Sequence, residues 1–329
     1  MKVNILTESD IRKCVSLDEE AIRAVEDGFT SLANGEAVVP PVVGVEIPER
    51  RGELDVKTAY IKGLDSFAIK IAAGFFENER LGVPVASGMM VIVSAETGHP
   101  QALLLDNGYL TQVRTGAAGA IAAKYLAREP VDTVGIIGAG VQGRYQGIGL
   151  SQVREFRHLR VYDVSSSKVD SYVEEMGPLL GVHVSGGRSA EEVVRASDIV
   201  VTTTPSREPI VRAEWLHPGL HITAMGADGP EKQELAVEVL RDANRLACDR
   251  REQCFVRGEL HHALAAGILS MDAPITELGE LTSGRKAGRQ SDRDITVCDL
   301  TGVGVQDTAI ALLAYDIARR EGLGMEIEA

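Results

Sequence analysis

Residues 133–143 read Thr133-Val134-Gly135-Ile136-Ile137-Gly138-Ala139-Gly140-Val141-Gln142-Gly143, and the reading of this stretch decides the architecture. An apolar run of strand length enters Gly-x-Gly-x-x-Gly and leaves as a helix, which is the layout of a dinucleotide-binding turn. Each glycine has a mechanical reason: Gly138 for the tight turn, Gly140 for close approach of a pyrophosphate, Gly143 for packing of helix on strand. Backbone amides at a helix N-terminus favour the phosphates, so Gly138, Ala139, Gly140, Val141, Gln142 and Gly143 are candidate cofactor contacts. His158–Asp163 reads as the next strand, ending in an acid. The carboxylate of Asp163 suits the ribose hydroxyls and repels a 2′-phosphate, which selects NAD. Ser165, Ser166, Ser167 and Lys168 follow and keep NADP possible.

Outward from this turn the pattern repeats. Apolar runs at 182–184, 198–203, 221–225, 246–248 and 295–298 alternate with helical segments, a βαβ rhythm that predicts a doubly wound parallel sheet of the Rossmann kind. Upstream the texture differs. Residues 7–35 read as helices, one opened at Thr7-Glu-Ser-Asp10 and one by a capping box at Ser16-Leu-Asp-Glu19. Between 38 and 106 short β-rich runs at 60–62, 67–71, 89–93 and 101–106 are punctuated by Gly and Pro. The chain is therefore expected to be α/β: an α+β domain over 1–128, and a Rossmann domain over 129–304 that begins at Glu129-Pro130.

Composition narrows the function. A length of 329 residues suits two domains, and the net charge of −14 leaves no basic stripe for nucleic acid or anionic membranes. No signal-peptide core or membrane-spanning run is seen, which predicts a cytoplasmic address. Cys14, Cys248, Cys254 and Cys298 are scattered without metal-binding or disulfide spacing. The adjacent His261 and His262 point in different directions on a helix and cannot chelate one metal, so no metal is expected.

Three cations stand out in the first half. Lys57, Lys70 and Arg114 each sit among apolar or uncharged neighbours. An unpaired buried cation is costly, so a substrate carboxylate is a natural counter-ion, with an internal salt bridge as the alternative. In the second half Asp228 lies just past a core strand, at the sheet edge where α/β proteins bind ligands. It is a candidate to exchange protons with a substrate amine, the alternative being a cap for a helix after Pro230. Thr203, Thr204 and Met225 end neighbouring strands and are candidate cofactor contacts.

Gly138-Ala-Gly-Val-Gln-Gly143, Asp106-Asn-Gly-Tyr-Leu-Thr-Gln-Val-Arg114-Thr, Gly226-Ala-Asp228-Gly-Pro-Glu-Lys-Gln-Glu-Leu and Gly302-Val-Gly-Val-Gln-Asp-Thr together resemble the ornithine cyclodeaminase/mu-crystallin family over the whole chain. Arg51–Tyr60 and Gly88-Met-Met-Val look most like the ectoine-utilisation protein C branch. The resemblance implies a substrate domain that dimerises and is completed by a C-terminal helix over 305–329, an NAD(H) or NADP(H) site, Lys70 and Arg114 on the substrate carboxylate, and Asp228 at the amine. Where family members often place a further Arg, this chain has Val42-Val43, and Lys57 stands where many relatives are uncharged. The family chemistry is hydride transfer at the Cα of a small amino acid or its imine. Cyclodeamination, imine reduction or amino-acid dehydrogenation, and a mu-crystallin-like binding role all follow from it as alternatives.

Overall fold

The computed structural model describes residues 2–328, the side chain of Glu79 aside. Contacts divide it into two units, Met1–Arg114 with Val303–Ala329, and Thr115–Gly302. The first unit opens with β1 (Lys2–Thr7), α1 (Glu8–Cys14) and α2 (Glu19–Ala33). The reciprocal capping box belongs to Thr7 and Asp10 at α1, not to Ser16 and Glu19. At α2 the cap is Asp18, whose carboxylate accepts from the amides of Glu20 and Ala21, while Ser16 merely donates to Asp18. An Asp carboxylate satisfies two first-turn amides at once, so the pattern two residues earlier loses to it.

Strands β2 (Ala37–Val38), β3 (Val43–Ile47), β4 (Gly52–Ile61), β5 (Ser66–Phe75), β6 (Ala86–Ser94) and β7 (Pro100–Leu105) follow. Strands β4 to β7 form an antiparallel meander, and β1 adds to β7 in parallel. The register of β4 on β5 sets Lys57 directly opposite Lys70. Helix α3 (Tyr109–Leu126) is capped by Asp106, whose carboxylate accepts from Leu110 N at 2.7 Å. The unit division falls inside this helix, at Arg114/Thr115, rather than at Glu129-Pro130.

The second unit runs β8 (Thr133–Ile137), α4 (Val141–Val153), β9 (His158–Tyr162), α5 (Ser166–Leu180), β10 (His183–Gly186), α6 (Ala190–Ala196), β11 (Ile199–Thr202), β12 (His221–Ala224), α7 (Val237–Asp242), β13 (Arg245–Cys248), α8 (Arg251–Cys254), α9 (Gly258–Ala265), β14 (Ile275–Glu277), α10 (Leu278–Thr282) and β15 (Thr296–Asp299). All eight strands are parallel, in the order β10-β9-β8-β11-β12-β15-β13-β14. Central β8, β11, β12 and β15 are buried along their whole length, as a sheet covered on both faces requires, whereas β9 alternates towards the edge. Strand order reverses between β8 and β11. That switch point opens a crevice at the carboxyl ends of the two strands, the place for a ligand in this architecture.

The chain returns to the first unit with α11 (Gly304–Glu321) and β16 (Met325–Glu328), which pairs antiparallel with β1. Helix α11 packs on α2, β4 and β5. Its start lies so close to β4 that a Cβ on Gly304 would sit 2.2 Å from Thr58 O. Thr308 Oγ1 then donates to Ala59 O and accepts from Ala68 N, pinning the first turn to both strands. On its other side Phe29 of α2 is fully buried, a burial worth about 1.5–3 kcal/mol.

Candidate active site

The glycine turn behaves as its residue types require. Gly138 has φ +108°, open only to glycine at low cost, and its amide donates to Tyr162 O at 2.8 Å. A Cβ on Gly143 would lie 2.2 Å from Gly138 O, so α4 can approach β8 only with hydrogen there. Gly140 is different, because a Cβ there would meet no protein atom within 4 Å. The protein's own packing does not ask for glycine at this position; close approach of a ligand does. Gly140 is also the N-cap of α4 and offers no side chain to the first-turn amides. The helix therefore presents donors and a positive dipole end, and these residues fit a dinucleotide.

Asp163 follows β9 and braces this turn. Its Oδ2 accepts from Ala139 N and its Oδ1 from Ser165 N, both at 2.9 Å. Arg144 latches the turn from behind, with Nη1 donating to Ala139 O at 2.6 Å and Nε to Glu175. Thr203 closes the β11 side: its amide and hydroxyl both donate to Ile137 O, and the hydroxyl also reaches Gly138 O at 3.1 Å. Thr203 and the glycine turn thus share the switch-point crevice within the second unit.

Sequence reading missed the residue that organises the next strand ends. Glu234 is fully buried, and its carboxylate accepts from Thr202 Oγ1 at 2.6 Å, Thr204 N at 2.6 Å and Gly226 N at 2.8 Å. One side chain therefore ties the ends of β11 and β12, where Thr204 and Met225 lie. Burial raises its proton affinity and these donors oppose that shift. The signal was present in the run Gly226–Leu235, yet an acid in a polar loop looks no different from a solvated one.

Asp228 lies in the loop after β12. No helix follows Pro230; the chain turns at 229–231 and the next helix starts at Val237, so the helix-cap alternative falls. The Asp228 side chain is 44% exposed and pairs with Lys232 Nζ at 2.8 Å. Its backbone carbonyl accepts from Arg257 Nη1. The carboxylate is thus partly open to solvent beside the buried Lys232 ammonium, a setting that suits proton exchange.

In the first unit the three cations converge. Lys57, Lys70 and Arg114 are 5%, 2% and 6% exposed. Like charges directly opposite on a sheet destabilise it, yet Lys57 and Lys70 are such a pair. Between Lys70 and Arg114 sits Asp307 of α11, itself fully buried. Asp307 Oδ2 lies 3.2 Å from Lys70 Nζ and Oδ1 lies 2.9 Å from Arg114 Nε. The Arg114 contact is close in distance but off the axis of a hydrogen bond, so it is an ion pair rather than a directed bond. Lys57 has Asp55 at 3.6 Å. The internal salt bridge is thus real: one buried carboxylate, Asp307, serves two buried cations, Lys70 and Arg114, and the pair Lys57–Asp55 adjoins them. Burial first, then the Arg114 charge, pushes Lys70 from 10.5 down to about 7, against the pull of Asp307. Buried cations of this kind suit a carboxylate ligand, and an amine poised near neutrality can give and take a proton.

The four cysteines are free thiols, three of them buried. His262 Nε2 is hydrogen-bonded to Lys232 O and His261 Nδ1 to Phe255 O, both structural. Among the described residues no group of His, Cys, Asp and Glu could hold a metal, and no helix is long and apolar enough to cross a membrane.

The model of the ornithine cyclodeaminase/mu-crystallin family matches residues 1–322 of this chain. An uncharacterised cyclodeaminase of Sinorhizobium fredii is 46% identical over 327 residues, covering 99% of both chains. The Thermococcus litoralis Δ1-pyrroline-2-carboxylate reductase, solved with NADH and L-proline, superposes with a TM-score of 0.94 at 33% identity, over 99% of this chain and 100% of that one. An archaeal alanine dehydrogenase dimer with bound NAD gives 0.92 at 38% identity, over 100% and 99%.

Proposed function

This chain belongs to the ornithine cyclodeaminase/mu-crystallin family, and from that premise we propose that it is an NAD(H)-dependent enzyme acting at the Cα of a small amino acid or its imine. The observation that carries the reading is the buried pair Lys70 and Arg114 on one shared carboxylate, Asp307, with buried Lys57 directly opposite Lys70. The second unit is the dinucleotide-binding domain and the first unit, with α11, the substrate-binding domain. A nicotinamide dinucleotide held at the glycine turn would supply hydride transfer to or from the substrate's Cα. Arg114 and Lys57 hold the substrate carboxylate by charge-assisted contacts. Lys70 and Asp228 move protons to and from the reacting nitrogen and the water that exchanges with it. Asp163 takes the ribose hydroxyls and sets the preference for NAD; Thr203, Thr204 and Met225 line the cofactor beside the glycine turn.

Redox chemistry without ring closure is the favoured form, supported by relatives that are a reductase and a dehydrogenase and are similar over nearly their full length. Cyclodeamination is the second reading, supported by the likeness to the S. fredii protein. In the ectoine branch the substrate is built on a diaminobutyrate skeleton, which would close only to a strained four-membered ring, again favouring redox. We place the enzyme in the cytoplasm as a homodimer joined through the first unit. The test is a panel of 2-imino acids, cyclic and generated from oxoacids with ammonia, followed by loss of NADH absorbance, with NAD⁺ and the matching amino acids in reverse. Turnover on at least one member is expected. Tight binding of NADH with no turnover on any would make the chain a mu-crystallin-like binding protein instead.

A further inference from the structure

Asp307 has no role in the chemistry assigned above, yet the turn of α11 that carries it is pinned in place. Gly304 seats α11 against β4, and Thr308 locks the first turn to β4 and β5. Between them Asp307 enters the sheet fully buried, at a helix N-terminus that favours negative charge. Its two oxygens face different partners, Lys70 on β5 and Arg114 on α3. Neither oxygen has a well-directed hydrogen bond, so what holds the three groups together is charge. The charged groups that act on Lys70 are Arg114, Asp307 and Lys57, with Asp55 set against Lys57; its partner on β6, Met90, is apolar.

We propose that Asp307 is a positioning residue that shares one negative charge between Lys70 and Arg114, holding both in register for the substrate. The inference rests on the proposed function for its purpose but not for its geometry. Two consequences follow from elementary electrostatics. Without the carboxylate, Lys70 faces Lys57 and Arg114 alone and releases its proton at lower pH. With it, Lys70 keeps a proton to donate in the neutral range while Arg114 stays aimed at the substrate carboxylate. A carboxylate that served packing alone would be replaced by the isosteric amide with no change in how Lys70 titrates.

The test titrates Lys70 by NMR in the full chain labelled with carbon-13 at lysine Cε, the signal being assigned by its loss in Lys70→Arg. Neither cofactor nor substrate is present. Asp307→Asn should lower the Lys70 midpoint by about one to three pH units, the scale of losing one adjacent opposite charge, and Asp307→Glu should restore most of it. If Asp307→Asn fails to fold, the double variant Lys57→Gln/Asp307→Asn removes one charge of each sign and is compared with Lys57→Gln alone; the double should titrate lower. An unmoved midpoint in the Asn comparison that folds overturns the proposal. Because no turnover is measured, failure here leaves the proposed function standing, and an inactive parent enzyme leaves this titration standing.

Discussion

Replacing Gly140 and Gly143 separately by alanine divides what the glycine turn does for the fold from what it does for a ligand. At Gly140 the backbone lies at φ −79° and ψ −167°, which alanine adopts freely, and the new methyl would touch no protein atom within 4 Å. Two small terms then oppose each other: a stiffer unfolded chain stabilises by about 0.4–1 kcal/mol, and a poorer N-cap costs on the order of 0.5–1 kcal/mol. Folding stability should change by less than about 1 kcal/mol. The same methyl points into the space a pyrophosphate takes, and overpacking of that kind costs about 1–3 kcal/mol, which is roughly a 5- to 150-fold loss of NADH affinity. At Gly143 the order inverts. The Cβ would lie 2.2 Å from Gly138 O and 3.1 Å from Ile136 Cγ2; the first is backbone that cannot step aside cheaply, so the cost of about 1–3 kcal/mol falls on the fold itself. Thermal unfolding and NADH fluorescence titration on both variants read the two effects. A Gly140→Ala protein that binds NADH like its parent would refute the reasoning.

Asp163→Ser removes the carboxylate at the end of β9, so the ratio of NADH to NADPH affinity should fall; a parent that already prefers NADPH sinks the assignment. Asp228→Asn should lower turnover about 10²- to 10⁴-fold while NADH binding persists, and an unchanged rate would move the proton exchange elsewhere. For Lys70, whose proton affinity is depressed to about 7 against 10.5, the unfolded chain binds more protons than the folded one between those values. Stability contributed by this site therefore rises with pH through that window. Denaturant melts at successive pH values should show a smaller rise in Lys70→Met than in the parent; equal slopes would contradict the burial argument.

The Rossmann half was legible because its signals are local: an apolar strand, three glycines and an acid within one βαβ unit. Lys57, Lys70 and Arg114 stood out as charges among apolar sequence neighbours, and all three are buried. Asp307 was not legible in the sequence, although its motif carries part of the family resemblance, because its role exists only where β5, α3 and α11 meet. Nor were β1 and β16, whose pairing joins the two chain ends; Met-Glu-Ile-Glu carries too little apolar pattern to announce a strand. The unit division inside α3 escaped for a related reason: a continuous small-residue helix shows no break.

Hydride transfer between a nicotinamide and the Cα of an amino acid is tested most directly by supplying NADH deuterated at the transferable position together with an active imino acid, and reading the amino-acid product by mass spectrometry and NMR. One deuterium at Cα is the expected result. Product without label at Cα, or label lost to water while NADH is consumed, would contradict it.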